Sequence, residues 1–161
     1  MSHTVTVTRT TTTTSTSAII LNTGYCKTVP GILKIAEIII AGIIMGLLFV
    51  AVERYDLSNY LAIKFFQYIV VSFFIGSLLL FLGCLVSIST GSIIAKTSYE
   101  FIYHGGAFIL YTIATLWLII RLRDFDYDYY KYYHISSILG IVNSVLYCVS
   151  CVFAYKSYRW P

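Results

Sequence analysis

Leu33 to Val52 reads LKIAEIIIAGIIMGLLFVAV. Beyond Lys34 and Glu37 near its start, every residue is apolar or glycine, with no polar face. A soluble helix of this length keeps a polar stripe toward water. About 20 residues at 1.5 Å each are what a helix needs to cross roughly 30 Å of hydrocarbon. Inside a bilayer the backbone must satisfy its own hydrogen bonds, so the stretch is read as a transmembrane helix. Three further blocks have the same character: Phe65 to Ile88, Phe101 to Ile120 and Ile135 to Tyr155. Their connections, Glu53–Lys64, Ser89–Glu100 and Arg121–His134, are too short for a second domain and force neighbouring spans to run antiparallel. The predicted fold is all-α, a four-helix transmembrane bundle.

Composition agrees. The 161 residues are 58% hydrophobic and only 11% charged, and mean hydropathy is +0.82. Soluble domains carry about 25% charged residues. The net charge of +4 comes from bases scattered between apolar blocks, without the aromatic-interleaved stripe of a nucleic-acid binder. Membrane lipids are the expected partners of these bases; nucleic acid is not.

Residues 1–29 read as a Thr/Ser-rich cytosolic tail, with too little apolar surface to offset the entropy of ordering. The predicted membrane domain runs from 30 to 161. The chain begins without the basic and apolar segments of a signal peptide, so the N-terminus is expected to stay cytosolic. An even number of spans then puts both termini in the cytosol. Lys27, Lys34, Lys96, Lys156 and Arg159 would face inward, against Arg54, Lys64, Arg121, Arg123 and Lys131 outward; the positive-inside balance is even. Cys26 precedes the first span on that side, a position open to reversible acylation or left as a free thiol. Cys84, Cys148 and Cys151 fall inside spans, and no structural disulfide is expected.

Gly42 and Gly46 form a GxxxG step in the first span, and Gly76 and Gly83 lie near one face of the second. Such glycines let backbones approach closely. Two uses are open: packing within the bundle, or a face for self-association. The intramembrane polar residues are Glu37, His104 and Asn143. An ionisable group in a span is by default a functional candidate. Glu37 has Lys34 at i−3, which can pair with it or draw it to the interface, and a structural polar contact with another helix is expected over a proton relay. For His104 and Asn143 interhelical hydrogen bonding is the expectation.

The third connection carries Tyr127, Tyr129, Tyr130, Tyr132 and Tyr133 among acids. These suit either an interfacial belt or an extracellular contact surface. No residues assemble a nucleophile with a base, a metal-ligand spacing or a phosphate loop. The reading is a non-enzymatic protein with no cofactor, no metal site and no small-molecule substrate.

The stretch Pro30-Gly31-Ile32-Leu33-Lys34-Ile35-Ala36-Glu37-Ile38-Ile39 resembles the opening of a MARVEL domain. Tyr99-Glu100-Phe101-Ile102-Tyr103-His104, followed by Ala107, Tyr111 and Ala114, is similar to that family's third helix. Leu146-Tyr147, then Ala154-Tyr155-Lys156 with Tyr158-Arg159, is similar to its last helix and basic tail. Within the family the chain is similar to the chemokine-like-factor and plasmolipin type or the insect singles bar branch. The resemblance implies an M-shaped tetraspan with cytosolic termini, at the plasma membrane or on secretory-pathway vesicles. It also implies work in vesicle trafficking, membrane apposition, cell junctions or cell fusion, through other membrane proteins or self-association. A channel, a transporter or an auxiliary subunit of one is the alternative.

Overall fold

A computed structural model describes residues 22–55, 60–86, 97–123, 126–128 and 130–159. Four long helices carry them: α1, Val29–Tyr55; α2, Leu61–Val86; α3, Ser98–Leu122; and α4, Lys131–Arg159. Each is long and apolar enough to cross a membrane. At 25 to 29 residues they are ~38–44 Å long, so every helix extends beyond the hydrocarbon into the headgroups. The described part of each expected span lies within its helix; residues 87 and 88 of the second fall outside the described residues, as do residues 1–21 of the expected tail.

Backbones approach in ring order, α1 beside α2, α2 beside α3, α3 beside α4 and α4 beside α1, with the α3–α4 seam the most extensive. The buried positions follow the helical period. In α3 they are Glu100, His104, Ala107, Tyr111, Ala114, Thr115, Leu118 and Leu122, one face of the helix.

What fills the seam reverses the soluble rule. α4 buries Tyr133, Ser136, Ser137, Gly140, Asn143, Ser144, Tyr147, Ser150 and Ala154, while Ile138, Val145 and Val152 point outward. Lipid is as apolar as Ile or Val, so burying those side chains gains little. Polar and small groups gain by facing protein, where hydrogen bonds and close contact replace hydrocarbon. Ile44, Leu48, Phe66 and Leu118 belong to the apolar core cluster of the bundle.

The ordered domain begins before residue 30. Thr23–Lys27 forms a 3-10 turn, and the Asn22 N–H donates to Leu85 O at 2.7 Å, satisfying a carbonyl at the end of α2. The Thr28 hydroxyl accepts from the Gly31 N–H at 3.2 Å and donates to Tyr25 O at 2.7 Å, capping α1. A Cβ on Gly31 would lie 2.1 Å from Tyr25 O, so the turn can fold back against α1 only because residue 31 is glycine. Residues 22–29, read from composition as tail, are thus bonded to the bundle. Thr/Ser content registers poor apolar burial but not a capping contact.

Candidate functional site

α1 sets Lys34 and Glu37 one turn apart on its buried face, and α3 does the same with Glu100 and His104. α1 and α3 are diagonal in the ring, so the two pairs meet across the bundle axis, at the end where α2 and α4 finish. Relative exposures are 1% for Lys34, 0% for Glu37, 7% for Glu100 and 1% for His104. Lys34 Nζ donates to Glu100 Oε1 in a buried ion pair, with the Tyr25 ring centroid 5.9 Å from the ammonium. The expected Lys34–Glu37 pairing along α1 is therefore replaced by one across the bundle. Ser150 of α4 donates instead to Glu37 Oε1 at 2.5 Å. The His104 ring is held between the carboxylates, Nδ1 3.8 Å from Glu37 Oε1 and Nε2 3.8 Å from Glu100 Oε1. Neither ring nitrogen, nor Glu37 Oε2, has a hydrogen-bond partner.

Above the cluster, Tyr25 covers a cavity of about 60 Å³ lined also by Lys34, Glu100, His104 and Ser150, with Pro30 and Phe153 at its rim. Burial pushes the Tyr25 phenol up from its ordinary value, so it stays neutral. Below lies a hydroxyl layer. Ser77 Oγ is 2.9 Å from Tyr147 OH and 3.1 Å from Tyr103 OH, and Tyr103 donates to Phe73 O at 3.0 Å. Tyr111 and Tyr147 pack ring to ring at 5.3 Å, filling the axis. Deeper still, Asn143 is fully buried near Tyr111 and Thr115, and its amide makes no hydrogen bond in the structure. Its neighbour Ser144 bonds between helices, Oγ lying 2.7 Å from Thr112 Oγ1 on α3.

Comparison with known families matches residues 25–153 to MARVEL, a membrane-associating domain. The chain belongs to the MARVEL family. With its four spanning helices it is a multi-pass integral membrane protein. No curated protein and no solved structure matches it significantly.

Within this MARVEL domain the glycines divide. A Cβ on Gly76 would lie 2.6 Å from Tyr103 OH, so α2 and α3 meet there as close neighbours. A Cβ on Gly42 would only touch Phe74 at 3.9 Å, and one on Gly46 would meet nothing within 4 Å. The GxxxG step does not pack the bundle at Gly46; it lies on the outer surface. Gly83 is half-buried. A further crowded interior glycine does not stand out in the sequence: a Cβ on Gly140 would lie 2.7 Å from Thr115 Oγ1 and 2.9 Å from the Phe66 ring. Its signal was the small-residue spacing Ser136, Gly140, Ser144. Glu100 was also missed, because it was read as the last residue of a connection.

At the opposite end the tyrosines are mostly internal. Tyr133 is fully buried, which removes it from any extracellular contact surface, and it packs on Tyr55 with centroids 6.1 Å apart. Tyr130 and Tyr132 are half-buried around the same ring at 5.2 and 6.1 Å. Tyr127 is exposed beside His134; Tyr129 lies outside the described residues. Cys26 sits half-buried in the 3-10 turn with a free thiol.

Proposed function

We propose that this MARVEL protein organises membranes without catalysis, in vesicle trafficking, membrane apposition, cell junctions or cell fusion. It acts through lipid contacts and through helix contacts with other membrane proteins or its own copies, from the plasma membrane or secretory-pathway vesicles, with both termini in the cytosol. One observation carries the reading over a channel. The interior carries the rings of Tyr111 and Tyr147, packed on each other, in one core cluster with Ile44, Leu48, Phe66 and Leu118. A conduction path needs a lining of polar groups and space between them. Here Ser77 bonds to Tyr103 and Tyr147, and Thr112 to Ser144, between helices instead. The lipid-facing surface, by contrast, offers the uncovered Gly46 and large apolar side chains such as Phe49 and Ile43.

Reconstitution tests this. Purified protein in liposomes is assayed for ion and small-solute flux, and in parallel for clustering of vesicles and for crosslinked oligomers. Flux no higher than in protein-free liposomes, together with clustering or self-association, is the expected outcome. Flux that scales with protein density sinks the proposal in favour of a pore.

A further inference from the structure

The Lys34–Glu37–Glu100–His104 cluster has unequal formal charge. One ammonium faces two carboxylates, so with a neutral imidazole the cluster carries −1. All four side chains are more than nine-tenths buried. An uncompensated charge in low dielectric is strongly disfavoured and is removed by taking up a counter-charge or a proton. Among the described residues the surroundings supply no buried counter-charge, Lys27 of the N-terminal turn being exposed. Tyr25 and Thr28 from the N-terminal turn, Ser77 and Cys84 from α2, Tyr103 from α3, and Tyr147 and Ser150 from α4 are all uncharged at neutral pH; Lys156 lies exposed outside. The imidazole between the carboxylates has the right atoms: each nitrogen is 3.8 Å from a different carboxylate oxygen, and neither is otherwise bonded.

We propose that these four residues form a binding site for a single proton, seated on His104 and exchanged through the cavity beneath Tyr25. The proton arrives from hydronium in that cavity, whose about 60 Å³ holds a few waters. Uptake forms one N–H bond on the imidazole and releases water. Both ring N–H groups then point at carboxylates, Nδ1 to Glu37 and Nε2 to Glu100, and the cluster reaches net zero. The site goes beyond the membrane-organising role and stands whether or not that role holds.

The sign of the linkage follows. The folded bundle holds a proton that the separated groups release on unfolding. A folded state that holds one proton more than the unfolded chain loses stability as pH rises. A one-proton difference changes the folding equilibrium by up to about tenfold per pH unit.

The test uses the full chain in lipid nanodiscs, with thermal unfolding from about pH 5.5 to about pH 9, the range in which histidine titrates. Wild type is expected to lose stability across that range. Glu37→Gln keeps the shape and the acceptor for Ser150 but makes the cluster neutral without a proton, so its profile should flatten. Nitrogen NMR of the labelled histidines, assigned by comparison with His104→Gln, should show both His104 ring nitrogens protonated at the acidic end. Should His104→Gln fail to fold, His3→Gln/His134→Gln leaves His104 as the one labelled histidine and gives the same readout. A pH profile shared by wild type and Glu37→Gln would overturn the site. A neutral His104 throughout, with a carboxylic-acid infrared band that Glu37→Gln abolishes, would overturn the seat on His104.

Discussion

Gly140 and Gly46 are both interior positions of long spanning helices, and alanine at either one adds the same methyl group. Replacing glycine by alanine removes a helix penalty of about 1 kcal/mol at each, so that contribution cancels when the two variants are compared. What remains is space. At Gly46 the added Cβ meets nothing within 4 Å, whereas at Gly140 it would sit 2.7 Å from Thr115 Oγ1 and 2.9 Å from the Phe66 ring. Ordinary contact starts near 3.5 Å, so α4 or Phe66 must give by several tenths of an ångström. Phe66 is fully buried in the core cluster and has little room to do so. Overpacking of this kind costs about 1–3 kcal/mol. Gly46→Ala is therefore expected to match or exceed wild type in thermal stability, and Gly140→Ala to fall about 1–3 kcal/mol below Gly46→Ala. At about 4 °C per kcal/mol for a domain of this size, that separates their Tm values by several degrees in detergent. Equal Tm values for the two variants would show that Cβ clearance does not govern packing here.

Gly46→Ile should insert normally and keep wild-type Tm, since an added Cβ there meets nothing within 4 Å, yet lose crosslinked oligomers if the outer glycine serves self-association; Ile39→Leu/Ile43→Leu is the control, and unchanged oligomers would assign the strip to lipid. Lys34→Met leaves Glu100 buried without its partner and should cost about 3–5 kcal/mol; adding Glu100→Gln should recover part of that in the same unfolding assay, and a double variant no better than the single would refute the pairing. Cys26 should be acylated: thiol-exchange labelling is expected to differ between wild type and Cys26→Ser, and identical labelling removes the idea. Terminal tags should resist protease added outside intact cells; digestion of either tag would invert the proposed orientation.

The spans were legible in sequence because crossing a bilayer is a local requirement: twenty residues are long and apolar enough or they are not, whatever their neighbours. Glu37, His104 and Asn143 stood out for a related reason, since a polar group in an apolar run must find a partner or a function. Which partner it finds is not local. Lys34 at i−3 was the nearest base to Glu37 along the chain, yet the ring order of helices puts α3 opposite α1, and Glu100, 66 residues away, takes the ammonium. The same packing decides that Gly140 is crowded and Gly46 free, though both are glycines in equally apolar surroundings, and that Tyr133 is buried while Tyr127 is exposed. Hydrophobicity specifies that a helix crosses the membrane but not its rotation about its own axis. In lipid that rotation is set by where small and polar side chains interlock with other helices, so only the assembled bundle determines which face each residue sees.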